Sequence, residues 1–318
     1  MIRRFEKELP PMTITNISFI GLGAMGNPMT ALLLKAGYHV KGFDIIEERM
    51  KRLVPLGLKT SGSPSEATRG ADLVMLSLPN WDVVRLVLEA KGGVLEGARE
   101  GQIIIDTSTV PPWETKAMGA TLARKGIDWM DVPVSGDAAR ARVGNLVLMA
   151  GGRRSVFQQV KPVLDAIGRK VVYVGKQGDA AMLKLVVNQV IFLNQAAAVE
   201  GLVLGLKAGL PTDIMLDVLV SGAAGSDLIA TRGKDMIEGN FVAKGAVRVA
   251  VKDLGLILEW ARRLQVMLPM AGLYHQLLLD AEYSGWERSD ATVVMRVYEK
   301  FSGIRRGTGR HGVPKNNE

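Results

Sequence analysis

The sequence predicts an α/β fold in two parts: an N-terminal parallel sheet with helices on both faces, followed by an all-α C-terminal domain. Three observations predict it. From Thr13 to about Val174, short β-branched runs alternate with helical stretches. The first run flows directly into a Gly-x-Gly-x-x-Gly turn. After Gly178 the strand-like runs stop, and long patterns rich in Ala, Leu, Met and Val take over. Strands that alternate with helices imply parallel pairing, because each helix returns the chain to the starting edge of the sheet.

The strand candidates, in order, are 17–21 (ISFIG), 39–44 (HVKGFD), 72–78 (DLVMLSL), 102–108 (QIIIDTS), 128–134 (DWMDVPV), 146–152 (LVLMAGG) and 170–175 (KVVYVG). In the second part the helical patterns run 179–208, 212–221, 226–238, 246–266, 269–284 and 289–302. Gly209-Leu210-Pro211, Gly239-Asn240 and Pro269 break them. The boundary falls near Gly175–Gly178, so the expected domains are 13–175 and 176–302. Residues 1–12 and the basic stretch 303–318 are expected to be disordered tails.

Composition narrows the classes. The chain has 318 residues and is 47% hydrophobic, ample for a large core. It has no cysteine, which excludes disulfides, thiolate metal sites and a cysteine nucleophile. Its three histidines, His39, His275 and His311, are too dispersed for a metal cluster. The net charge is +8, with +1 on residues 1–11 and +3 on 303–318. No basic stripe interleaved with aromatics remains, so a nucleic-acid partner is not expected. MIRRFEKEL has no apolar segment of an export signal. The apolar stretch 180–208 is interrupted by Lys184, Asn188, Gln189, Asn194, Gln195 and Glu200. A cytoplasmic protein without a membrane partner is expected.

The glycine turn reads Gly21-Leu22-Gly23-Ala24-Met25-Gly26, with an apolar strand before it and a helix after it. In that setting Gly21 permits the tight turn, Gly23 lets backbone approach a pyrophosphate, and Gly26 lets the helix pack on the strand. Free N–H groups at the helix start favour phosphate. Asp44 closes the second strand about twenty residues on, where an acid that binds ribose belongs. A dinucleotide-binding, Rossmann-type domain is therefore expected. The Asp44 carboxylate would accept from the 2′-hydroxyl of NAD and repel the 2′-phosphate of NADP. Ile45, Ile46 and Glu47 offer no cation to offset it, so NAD is the expected cofactor and NADP the less favoured one.

Ligands of open parallel sheets sit beyond the carboxyl ends of the strands. Leu78 and Pro79 lie at one such end and suit the adenosine side. Ser108 and Thr109 lie at another, suited to a nicotinamide. Ser135-Gly136 lies at a third, suited to a substrate carboxylate. Each is equally compatible with ordinary turn chemistry.

Lys184 poses a sharper question. On a helix Asn188 falls ~40° from it and Gln195 ~20° from it, a narrow polar stripe among apolar neighbours. Such a stripe either faces solvent or lines a polar cleft. A position just after the dinucleotide domain favours a cleft, and burial there would lower the lysine pKa toward neutrality, the range of a general base.

The ordered motifs FIGLGAMGNPM, DTST, DVPVSG with GNLVLMAGG, GDAAMLKLVVN and VKDLGLILEWA resemble those of the β-hydroxyacid dehydrogenases over roughly residues 16–300. This is the family of 3-hydroxyisobutyrate dehydrogenase and tartronate semialdehyde reductase. The resemblance implies a Rossmann domain followed by a helical domain that often mediates dimers or tetramers, and so a homodimer or homotetramer. It implies interconversion of a small 3-hydroxy acid and its semialdehyde by hydride transfer, with Lys184 as catalytic acid/base. It gives Asn188, Ser135 and Gly136 to substrate binding, and Thr109 and Lys252 to the cofactor.

The chain departs from the family pattern at Asp137, where a second glycine is usual, at Ala138–Arg142, and at Gly178-Asp179-Ala180. Asp137 could repel a second acidic group or bind a hydroxyl or amine; Arg140 or Arg142 could attract an anion. These changes leave room for a non-catalytic NAD-binding sensor on the same scaffold. Val187 stands where phosphogluconate dehydrogenases typically have histidine, Lys184 argues against imine reductases, and the lack of cysteine excludes nucleotide-sugar dehydrogenases.

Overall fold

Four of the five residues of β1 (Asn16–Ile20) are buried. Ile17 and Phe19 join one apolar cluster and Ile20 another, as the two-residue alternation of a strand with both faces covered requires. The computed structural model describes residues 14–304. The expected tail 1–12 and residues 305–318 of the second tail lie outside the described residues. Gly303 and Ile304 close the last helix, where the Ile304 N–H donates to the Glu299 carbonyl at 2.9 Å.

After β1 come α1 (Gly26–Lys35), β2 (His39–Phe43), α2 (Glu47–Lys51), β3 (Lys59–Thr60), α3 (Pro64–Thr68), β4 (Leu73–Leu76), α4 (Trp81–Glu89), α5 (Val94–Gly97), β5 (Ile103–Asp106), α6 (Pro112–Ala123) and β6 (Asp128–Asp131). The order β3-β2-β1-β4-β5-β6 is parallel throughout. Every residue of β4 (LVML) and β5 (IIID) is buried, the signature of central strands covered on both faces. Caps set the helix starts: the Asn80 side chain accepts from the Val83 N–H at 2.9 Å and opens α4.

Next follow β7 (Val134–Ser135), α7 (Ala138–Arg142), β8 (Val147–Gly151), α8 (Arg154–Asp165) and β9 (Lys170–Gly175). Here the sheet departs from the all-parallel expectation. β8 runs antiparallel to β6 and β7, and β9 runs parallel to β8. The connection explains it. Residues 136–146 hold only the short α7, whereas a parallel return needs a crossover of roughly a dozen residues or more.

The chain divides into two compact units between Lys184 and Leu185, inside α9 (Asp179–Lys207). The second unit continues with α10 (Thr212–Ser221), α11 (Asp227–Glu238), α12 (Val247–Leu264), α13 (Pro269–Ala281) and α14 (Met295–Phe301). Its core joins Phe192, Val199 and Leu202 of α9 to Leu254 and Ile257 of α12 and to Tyr274 and Leu278 of α13. Two expected helices are shorter than their patterns. α13 stops at Ala281 and passes into a π-turn in which Gly285 adopts φ +84°. The pattern 289–302 begins as a 3₁₀ turn, Ala291–Val294, because the Asp290 side chain accepts from the Thr292 N–H at 3.1 Å. Asp290 also pairs with Arg232 and accepts from the Lys244 and Gly245 N–H groups, which fixes the entry to α12.

Candidate active site

The three glycines of the first turn differ in what surrounds them. Gly21 adopts φ +91°, and a Cβ there would stand 2.3 Å from the Ser77 carbonyl oxygen and 2.9 Å from Leu78 Cδ2. At Gly26 a Cβ would stand 1.9 Å from the Gly21 carbonyl oxygen, so only glycine lets α1 start this close to β1. Gly23 is different: an added Cβ would meet nothing nearer than Arg49 Nη1 at 3.9 Å. The space over Gly23 is open, and it opens into a cavity of about 330 Å³ lined by Gly23, Ala24, Asn27, Arg49, Arg52 and Arg142, among others. A turn exposing backbone N–H groups to a cavity with three guanidinium groups fits a pyrophosphate by shape and by charge.

Asp44, just beyond β2, is buried. Its carboxylate accepts from the Leu22 N–H and the Ile46 N–H, each at 2.8 Å, and meets Arg49 Nη1 at 3.3 Å. So a cation does stand beside this acid. The window 45–47 misses it because Arg49 returns from α2.

The neighbouring strand ends are tied together. The Leu78 N–H donates to Ser108 Oγ at 2.8 Å, and the Ser108 N–H donates to Asp106 Oδ1 at 2.9 Å. Thr107 Oγ1 donates to the Leu76 carbonyl at 2.7 Å. Pro79 is exposed and Thr109 half-buried at the same edge. Ser135 ends β7 half-buried. Gly136 has φ +136°, and a Cβ on it would press within 2.6 Å of Leu146.

Two departures from the family pattern make local bonds to the backbone. The Asp137 side chain accepts from the Arg140 N–H at 3.0 Å and starts α7. Asp179 Oδ2 accepts from the Lys176 N–H at 2.8 Å at the start of α9. Arg142 lines the cavity over Gly23, whereas the Arg140 stem packs near Gly136.

On α9, Lys184, Asn188 and Gln195 are only 8%, 5% and 3% exposed, whereas Val186 and Val190 are 60% and 55% exposed. The polar stripe is the buried one, which removes its solvent-facing alternative. α9 is long and apolar enough by length and composition to cross a bilayer. Its polar stripe faces inward, while Val186, Val190 and Leu204 on the same helix are exposed.

Within the second unit Asn188 Nδ2 donates to Asp253 Oδ2 at 2.8 Å, and Lys252 Nζ lies 2.8 Å from Asp253 Oδ1. Asp253 thus fixes the orientation of the Asn188 amide. Asp131, at the end of β6, is a second functional candidate that sequence reasoning passed over. Burial raises its pKa, against the pull of N–H groups that favour the charged form. Among the described residues no group of acidic or histidine side chains is arranged to hold a metal.

The comparisons with known proteins agree with this geometry. A family model described as the NAD binding domain of 6-phosphogluconate dehydrogenase matches residues 16–175. A second, described as NAD-binding of NADP-dependent 3-hydroxyisobutyrate dehydrogenase, matches residues 178–298. The chain is 36% identical to 2-(hydroxymethyl)glutarate dehydrogenase of Eubacterium barkeri, covering 91% of this chain and 96% of that protein. It is 32% identical to 3-sulfolactaldehyde reductase of Escherichia coli K12, covering 91% and 97%. A crystal structure of 3-hydroxyisobutyrate dehydrogenase from Salmonella typhimurium superposes with a TM-score of 0.83 at 28% identity, covering 89% of this chain and 99% of that one. Fold and motifs together define an NAD(P)-dependent oxidoreductase that acts on CH–OH groups. The chain belongs to the β-hydroxyacid dehydrogenase family.

Proposed function

We propose that this enzyme interconverts a small 3-hydroxy acid and its semialdehyde, with Lys184 as general acid/base and NAD as the preferred cofactor. One observation carries the reading: Lys184 is only 8% exposed on α9, whereas its neighbours Val186 and Val190 are 60% and 55% exposed. A buried ionisable side chain on a helix next to the nucleotide-binding domain is a candidate for proton transfer.

Bound cofactor supplies the hydride acceptor, and in reverse the hydride donor, at its nicotinamide carbon. Gly23 and Ala24, with Arg49, Arg52 and Arg142, would hold its pyrophosphate; Asp44 would accept from its ribose; Leu78, Pro79, Ser108, Thr109 and Lys252 would complete its contacts. The chain's own part is proton transfer and positioning. Ser135 and Gly136 take the substrate carboxylate through hydroxyl and backbone N–H. Asn188, its amide set by Asp253, orients the reacting oxygen. Neutral Lys184 removes the hydroxyl proton as hydride departs, leaving the aldehyde and an ammonium, and the ammonium returns the proton in reverse. Proton transfer of this kind contributes ~10²–10⁴ in rate.

The relatives' names support the substrate class. 2-(Hydroxymethyl)glutarate carries a primary alcohol on the carbon next to a carboxylate, and 3-sulfolactaldehyde is an aldehyde bearing an acidic group. The test is a panel of 3-hydroxy acids with NAD, followed by the absorbance of the reduced nicotinamide. Turnover confined to acids with a 3-hydroxyl supports the reading; turnover of 2-hydroxy acids alone, or of none, overturns it.

Exposed apolar side chains line the outer faces of the helical unit: Val186, Val190 and Leu204 on α9, Ile214 and Val218 on α10. Such a surface supports a homodimer or homotetramer. A composition free of cysteine suits the cytoplasm, where an oxidoreductase of small metabolites works.

A further inference from the structure

We propose that Asp131 is a positioning residue for the proton transfer: its buried carboxylate clamps the first turn of α9 and thereby sets the direction in which Lys184 points. The inference rests on the general acid/base reading of Lys184.

The geometry is that of a two-pronged clamp. Asp131 Oδ1 accepts from the Gly178 N–H and Oδ2 from the Ala181 N–H, both at 2.8 Å. The two amides are three residues apart at the start of α9. Using both oxygens therefore fixes the height of the helix over β6 and its rotation about its own axis. Asp131 itself is 1% exposed. Space has been cleared around it: a Cβ on Gly151 would stand 2.8 Å from Asp131 Oδ1. A second tether runs from the same strand, where Gln177 Nε2 donates to the Trp129 carbonyl at 2.9 Å. Gly119 lacks a side chain where Gln177 lies, at 2.5 Å from where its Cβ would be. Two bonds would suffice to cap a helix, but an aligned carboxylate, a supporting amide and two vacated Cβ positions describe a fixed orientation.

Lys184 follows Ala181 by three residues, ~4.5 Å along the axis and ~60° around it. A lysine nitrogen stands ~8 Å from the axis, so a ~20° rotation of α9 would displace it by roughly 3 Å. A misplacement of ~1 Å at a reacting group costs up to ~10² in rate. Rotation of this helix is thus the sensitive coordinate, and Asp131 controls it.

Asp131→Asn tests the clamp, since a carboxamide has one acceptor oxygen for two N–H groups. kcat is expected to fall at least ~10-fold, with the KM for substrate and the dissociation constant for NADH, read by nicotinamide fluorescence, each within about twofold. A merely structural role would lower the yield of folded protein and leave kcat per folded molecule unchanged. That result, or wild-type kcat, overturns the inference. Should the Asn variant fail to fold, Asp131→Glu, which keeps both oxygens on a longer arm, is expected to fold and to lose kcat with unchanged NADH binding; wild-type kcat in that variant overturns the inference equally. Lys184→Ala is measured alongside. If it keeps near-normal turnover, the acid/base reading falls and this inference with it. If it is inactive while both Asp131 variants match wild type, only the clamp is wrong.

Discussion

Asp44 and Gly23 show how single residues divide the work of the cofactor turn. Asp44 is held by two backbone N–H groups and by Arg49, so its carboxylate is pre-aligned and partly neutralised. A hydrogen bond to a charged group is worth about 1.5–3 kcal/mol, or ~10–100-fold in affinity. Asp44→Asn is therefore expected to lower kcat/KM for NAD at least ~10-fold and to lower that for NADP less, moving the ratio toward NADP; steady-state kinetics with both cofactors read it, and an unmoved ratio denies Asp44 its ribose role. The glycines allow a cleaner contrast. Gly23→Ala adds a methyl group to open space, so the unfolding temperature is expected to stay put while NADH binding weakens ~10-fold or more. Gly26→Ala forces its Cβ against the Gly21 carbonyl and is expected to destabilise the fold by ~1–3 kcal/mol or more. Thermal unfolding with NADH titration separates the two, and equal stabilities would contradict the assignment.

At the scale of elements, the junction of β6 and α9 gives a dependence on pH. Burial raises the Asp131 pKa in the folded chain, whereas the unfolded chain keeps a value of about 3.9. The folded state thus binds the proton more tightly, and stability is greatest below the unfolded pKa and declines as pH rises through the folded one. Asp131→Asn removes that decline. Unfolding temperatures of both proteins from pH 3 to about 6 check it: the slope is expected to differ between them in this window, and parallel curves would contradict it. Elements were also where sequence reading succeeded unevenly. β4 and β5 were plain because both faces are apolar, and the glycine turn because its demands are local. The reversal at β8 was hidden, since LVLMAGG reads the same in either direction and only the short connection 136–146 decides. Asn188–Asp253 and the arginines over Gly23 were hidden for a related reason. Side chains far apart in sequence meet there, and no periodicity reports such a meeting. Asp137 and Asp179, departures from the family pattern, each make a local bond that sequence spacing alone does not announce: Asp137 accepts from the Arg140 N–H and Asp179 from the Lys176 N–H.

For the whole molecule, the apolar outer faces of α9 and α10 bear on assembly. Leu204 and Val218 are 73% and 61% exposed. Replacing both with glutamate is expected to shift the mass measured by light scattering from a dimer or tetramer to the monomer; an unchanged mass would place the interface elsewhere. The central claim concerns the buried amine of α9. Its most direct measurement is the single-turnover rate of hydride transfer in Lys184→Ala, with NADH binding followed in the same preparation. A loss of at least ~10² with NADH affinity retained is the expected result; a rate within a few fold of wild type would contradict the account.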